Sequence, residues 1–168
     1  VDADAAIRAE LYRLRRRLPD LAGAVLGRVD GLLVACDLTV GDPHHIAALS
    51  AATLGLGHRF AQSAGHGRLH ESVVRSAGGC VITYPAGAYG LLTVVTYPDS
   101  DVERIHPEAR ATAHLLGTMV DSMRHAAAMA AAAPAADPDA PLAVRTPMAT
   151  LPADLWADTG GRRPPGLH

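Results

Sequence analysis

Lysine is absent from this chain of 168 residues; all fifteen basic residues are arginine. The formal net charge is −2, so there is no basic field of the kind a nucleic-acid binder relies on. Heavy alanine use alongside the arginine bias reads as genomic base composition rather than chemistry. Aromatic residues make up 4% of the chain, too few for a platform that stacks bases. No apolar run approaches the roughly 20 residues needed to span a bilayer, and no secretory signal is legible. The first residue is Val1, not Met, which leaves the true N-terminus undefined. Cysteine occurs twice, at Cys36 and Cys80, each within an apolar strand-like run. Both are expected to be buried free thiols in a reducing cytosol.

Catalytic signatures are missing too. Gly-x-Ser-x-Gly does not occur, and Gly55-Leu56-Gly57 falls inside a helical pattern with no strand before it and no Lys-Ser/Thr after it. No pair of carboxylates is spaced for acid–base work on a sugar or ester. Among nine histidines, His66 and His70 share a Gly-rich loop with only Glu71 as a further ligand, and His44-His45 opens a helix. Zinc needs convergent ligands at tighter, repeated spacing, so no metal site is assigned. His58 and His114 stand alone on helices. The chain reads as non-enzymatic, without catalytic residues or a cofactor: a domain whose surfaces matter.

What is present is organised around one stretch, Pro43 to Ala64. Asp42 is placed to cap it and Pro43 suits a first turn. Ile46, Leu49, Thr53, Leu56 and Phe60 fall on one stripe at helical spacing, which is expected to face a core. The opposite side then carries Ala47, Ala48, Ala51, Gly55, His58 and Gln62, with Leu54 on its shoulder and Arg59 as the helix's single full charge. A helix so poor in outward charge is usually covered. In a chain this short, the cover is expected to be another protein molecule.

Before it, Ala5 to Leu18 reads as a helix with Ile7, Leu11, Leu14 and Leu18 inward; the Arg13 to Arg17 cluster is its solvated face. Gly23 to Val29 and Leu32 to Cys36 are apolar runs joined by Asp30-Gly31, a hairpin signal, and both sheet faces are expected to be covered. After it, Glu71 to Ser76 reads as a polar edge strand, followed by Cys80 to Tyr84 and Leu91 to Tyr97 in a meander. A last helix is expected from Pro107 to Ala132, with Ala109, Ala113, Leu116, Val120 and Met123 buried and its Ala-rich end protruding. The expected domain is 5–132. Residues 133–168 turn to Pro, Ala, Asp and Thr, the composition of a disordered tail, interrupted by Leu151, Leu155 and Trp156 as a candidate docking motif.

The order α-β-β-α-β-β-β-α predicts an α+β fold, a five-stranded antiparallel sheet with helices on both faces in the profilin-like arrangement. Its words also resemble the roadblock/LC7 family, particularly bacterial, actinobacterial-type members. They are Leu21-Ala22-Gly23-Ala24-Val25, Val29-Asp30-Gly31-Leu32-Leu33-Val34-Ala35, Ile46-Ala47-Ala48-Leu49-Ser50-Ala51 with Leu54-Gly55-Leu56, Leu91-Leu92-Thr93-Val94-Val95, and Glu108-Ala109-Arg110-Ala111-Thr112-Ala113. The resemblance spans about residues 8 to 124 and rests on order and spacing, since the family has no catalytic signature.

The resemblance implies a homodimer, expected in the cytoplasm, with any peripheral membrane contact made through partners. Its third strands pair across subunits and its second helices meet on one side. It also implies a Ras-like small GTPase as partner, whose nucleotide cycle the dimer regulates or scaffolds within a bacterial signalling system, alongside a sensor kinase-like protein. Carried over, the dimer strand is Glu71, Ser72, Val73, Val74, Arg75 and Ser76, with Glu71 and Arg75 of opposed strands expected to meet. The partner-facing helix surface is Ala47, Ala48, Ala51, Gly55, His58, Arg59 and Gln62. An arginine-finger role for Arg59 is disfavoured, because the family acts mainly by reshaping the GTPase's own switch loops. Two other readings stay open. One is a profilin-like or GAF-like small-molecule sensor lined by Tyr84, Thr93 and His114; the other is an assembly adaptor without effect on GTP hydrolysis.

Overall fold

A computed structural model describes residues 3–132. The elements run α1 (Ala3–Arg17), β1 (Leu21–Arg28), β2 (Leu33–Leu38), α2 (Pro43–Ser63), β3 (Ser72–Ser76), β4 (Gly79–Ala86), β5 (Gly90–Thr96) and α3 (Val102–Ala131). The five strands form one antiparallel sheet in the order β2-β1-β5-β4-β3. This is the α+β arrangement expected from the sequence.

The core lies between the sheet and the pair α1/α3. Ile7, Leu11, Leu14 and Leu18 meet Ala24, Leu26, Ile82, Tyr84, Leu92 and Val94, and α3 adds Ile105, Ala109, Ala113, Leu116 and Val120. Within α1, Arg13 and Arg17 hold the buried Glu10, Arg15 reaches Asp37 on β2 at 2.7 Å, and Arg17 also contacts Glu108. The arginine cluster is thus largely spent within the chain.

Each strand turns alternate residues to the other face, where α2 lies. There β1 is buried along its whole apolar run, whereas β2 is an edge strand and only half covered. Cys36 consequently stands exposed on β2 and Cys80 is partly exposed on β4, against the expectation of two buried thiols. The Asp30-Gly31 turn closes the first hairpin as expected: Gly31 has φ +86° and Asp30 accepts a hydrogen bond from the Leu32 amide.

Two features of α3 differ from the sequence reading. Asp101 caps the helix by accepting from the amides of Glu103 and Arg104, so it starts at Val102 and Pro107 lies inside it. Pro107 sits near the start, where its missing amide removes a single intrahelical bond. Met123, expected inside, is exposed and borders an open cleft with Arg28 and Val34 instead of filling the core; everything from Ser122 to Ala132 is exposed, and the helix continues to Ala131. The expected tail, with its candidate docking motif of Leu151, Leu155 and Trp156, lies outside the described residues.

Candidate interaction surface

The large apolar stripe of α2 exists, but it faces away from the sheet. Leu49, Leu56 and Phe60 are 54%, 57% and 68% exposed. The residues against the sheet where the helix crosses β1 are small: Ala47 is fully buried, Ser50 is nearly so and Ala51 is half-buried; Leu54, half-buried, lies further along the helix. The physical reason is close approach. Gly27 on β1 and Gly31 in the hairpin leave no side chain beneath the helix. A β-carbon on Gly27 would stand 3.3 Å from that of Ala47, and one on Gly31 would stand 3.3 Å from the Ala48 backbone. At this crossing only small residues fit between helix and sheet, which turns Leu49, Leu56 and Phe60 outward. Ala47 therefore cannot face a partner and Ala51 does so only in part, while Ala48, Gly55, His58, Arg59 and Gln62 are exposed.

Next to this helix lies the open edge of β3. Ser72 to Ser76 pairs with β4 on one side and ends the sheet on the other. Val73 and Val74 are 38% and 49% exposed, on opposite faces of the strand. A shallow apolar cleft lined by Ile46, Leu49, Thr53, Val74 and Val81 joins the outer side of α2 to this edge. Sheet edge and helix stripe form one continuous surface.

Glu71 does not belong to that edge. It precedes β3, and Arg110 of α3 clamps its carboxylate with Nε at 3.0 Å and Nη2 at 2.7 Å. His106 approaches the same carboxylate at 3.7 Å and shares a 2.7 Å hydrogen bond with the Tyr84 hydroxyl. Burial, then the Glu71 charge, pushes the Tyr84 phenol well above its ordinary range. Within the chain Glu71, expected to meet Arg75 of a second subunit, is engaged by Arg110, and this clamp pins the entry of β3 to α3. Arg75 stands exposed on the strand, with Nη1 at 3.8 Å from Cys80 Sγ.

The three residues named for a sensor cavity do not all converge: Tyr84 and His114 border one open cleft, and Thr93 is not part of it. Tyr84 points to the α3 side, Thr93 to the α2 side, where it bonds Thr83 at 3.1 Å, and His114 is exposed on α3. Among the described residues no group of three or more His, Cys, Asp or Glu side chains is gathered to hold a metal, and no helix is long and apolar enough to cross a membrane.

The sequence reading missed the fastening of the β4–β5 turn. Asp121 accepts from the amides of Ala88 and Tyr89, and Gly117 lies so close that a β-carbon there would collide with the backbone of Ala86 and Gly87. The helical spacing of Gly117 and Asp121, four apart on one face, was the available signal.

Comparison with solved structures places this fold among known ones. An MglB described in a tetrameric arrangement aligns with TM-score 0.67 at 16% identity, covering 73% of this chain and 93% of that one. MglB, a gliding protein of Thermus thermophilus, aligns at 0.64 and 16% with the same coverage. A Roadblock/LC7 domain of Streptomyces avermitilis aligns at 0.57 with 23% identity, covering 72% of this chain and 97% of that one. No curated protein matches the chain. The sequence model of the Roadblock/LC7 domain matches residues 8–96, more than half of the chain, from α1 to the end of β5. This protein belongs to the Roadblock/LC7 family.

Proposed function

We propose that the protein is a non-enzymatic, homodimeric regulator or scaffold of a Ras-like small GTPase in a bacterial signalling system. The observation that carries the reading is the outward stripe Leu49, Leu56 and Phe60 beside the open β3 edge. Apolar surface of this kind is stabilised by being covered. Two copies related by a twofold axis would join β3 to β3 and bring their α2 stripes together, a self-complementary contact. Family membership supports the GTPase as partner. The exposed Gly55, Arg59 and Gln62 flank the stripe and remain available to it.

The test is a pulldown and a single-turnover hydrolysis assay with the Ras-like GTPase encoded nearest the protein's own gene. Binding that depends on the nucleotide state and changes the rate supports regulation. Firm binding with unchanged hydrolysis selects the adaptor reading, and absence of binding in both nucleotide states removes the GTPase. Gly55→Arg is the matched variant, because among the described residues nothing lies within 4 Å of a β-carbon there.

A further inference from the structure

A groove runs around the end of the sheet from α2 to α3, over the β4–β5 turn. Its first stretch, about 380 Å³, lies between Leu54 and His58 of α2 and the segment Arg68-Leu69. The second, about 460 Å³, continues past His70 to Arg110 and His114 of α3. Arg68, Leu69, Pro85, Gly87 and Ala88 line both, so the two stretches are continuous.

Two features define what fits. The floor is apolar and half covered: Leu54, Leu69 and Pro85 are partly buried and Leu91 fully so. Among the described residues, every ionisable side chain on the rim other than Tyr84 is a guanidinium or an imidazole, namely His58, Arg68, His70, Arg110 and His114, and no Asp or Glu lines either stretch. Of the acids nearby, Glu71 is paired with Arg110 and Asp121 with the amides of Ala88 and Tyr89, while Glu103 adds its charge near Arg110, so Arg68 is the rim guanidinium left for a ligand. Those contacts hold Arg110 and the β4–β5 turn in place on one side of the groove.

We propose that this groove receives an extended, acidic segment of a partner protein, with carboxylates on Arg68, His70 and His114 and alternate apolar side chains on Leu54, Leu69 and Pro85. Guanidinium groups are donors only and are matched by carboxylates. A chain about one strand wide, with side chains alternating between rim and floor, fits an elongated cleft better than a rounded ligand does. Residues 51, 54, 55 and 58 lie on a different side of α2 from 49, 56 and 60, so a second copy on the apolar stripe leaves the groove open. The inference does not depend on the GTPase reading.

A fluorescein-labelled decapeptide alternating leucine and aspartate is the probe, with leucine–serine and leucine–lysine peptides as controls, titrated into full-length protein. Polarisation gives affinity, and amide NMR shifts locate the site. The expected result is binding of the acidic peptide at least tenfold tighter than either control, weakened by salt, with shifts at Leu69, Ala88 and Ala113. The double variant Arg68→Glu, His114→Glu, at two exposed positions, is expected to lose at least tenfold in affinity with an unchanged melting temperature. Arg68→Lys is expected to retain most binding. Equal affinity for acidic and neutral peptides, shifts confined to Leu49, Leu56 and Phe60, or no binding at all would overturn the proposal. So would a response of the groove signals to phosphatidylserine vesicles but not to the peptide.

Discussion

Gly27 on β1 and Ala47 on α2 meet so closely that a β-carbon on the glycine would lie 3.3 Å from the alanine's own. That contact decides which way the second helix faces, and with it where a partner can dock. Ala47→Leu is expected to destabilise the fold by about 1–3 kcal/mol through overpacking, read as a lower urea midpoint at unchanged slope. Gly27→Ala is expected to act in the same direction, since it also approaches Leu91 at 3.2 Å.

Substitutions on the other side of α2 are expected to behave oppositely. Leu56→Glu and Phe60→Ser remove exposed apolar groups, so the isolated domain should keep its circular dichroism spectrum. Self-association should fall at least tenfold, measured by sedimentation across a concentration series. Retained association in both variants would show that the stripe is not the contact.

The sheet's hidden hydroxyl pair offers a double-mutant test. Thr83 and Thr93 share a 3.1 Å hydrogen bond and are nearly or fully buried. Thr93→Val leaves the Thr83 hydroxyl without that partner and is expected to cost about 1–3 kcal/mol. Adding Thr83→Val should recover much of the loss, because replacing both partners removes the unsatisfied group. Chemical denaturation of the three variants measures the coupling.

Tyr84 predicts an alkaline limit to stability. Burial and the nearby Glu71 charge raise its phenol above the ordinary value of about 10. The folded state favours the neutral phenol, so the contribution is complete below about pH 10 and is lost as pH rises from there towards the folded value. Tyr84→Phe should forfeit about 0.5–1.5 kcal/mol at neutral pH, through the lost hydrogen bond to His106. Its melting temperature should fall less steeply than wild type above about pH 10. Parallel curves would contradict this assignment.

Periodicity made the elements legible, and the order of strands and helices followed from the turns. The Asp30-Gly31 hairpin, the inward face of α1 and the Ala109–Val120 side of α3 needed only spacing. Orientation was different. The stripe on α2 was visible, but hydrophobicity alone turned it towards the sheet, whereas Gly27 and Gly31 admit only small residues there. The clamp of Arg110 on Glu71 spans 39 residues of sequence, and no local pattern encodes such a pair. Likewise Asp101 outranked Pro107 as the start of α3, since a capping carboxylate satisfies two amides while the proline forfeits one bond.

Hydrogen exchange read by mass spectrometry across a dilution series tests the central claim most directly, because it reports both association and the surface that carries it. The account predicts a dimer in which β3 backbone amides and the α2 segment from Leu49 to Phe60 gain protection as concentration rises. A strict monomer at several hundred micromolar, with that segment exchanging equally at every concentration and no GTPase altering it, would contradict the account.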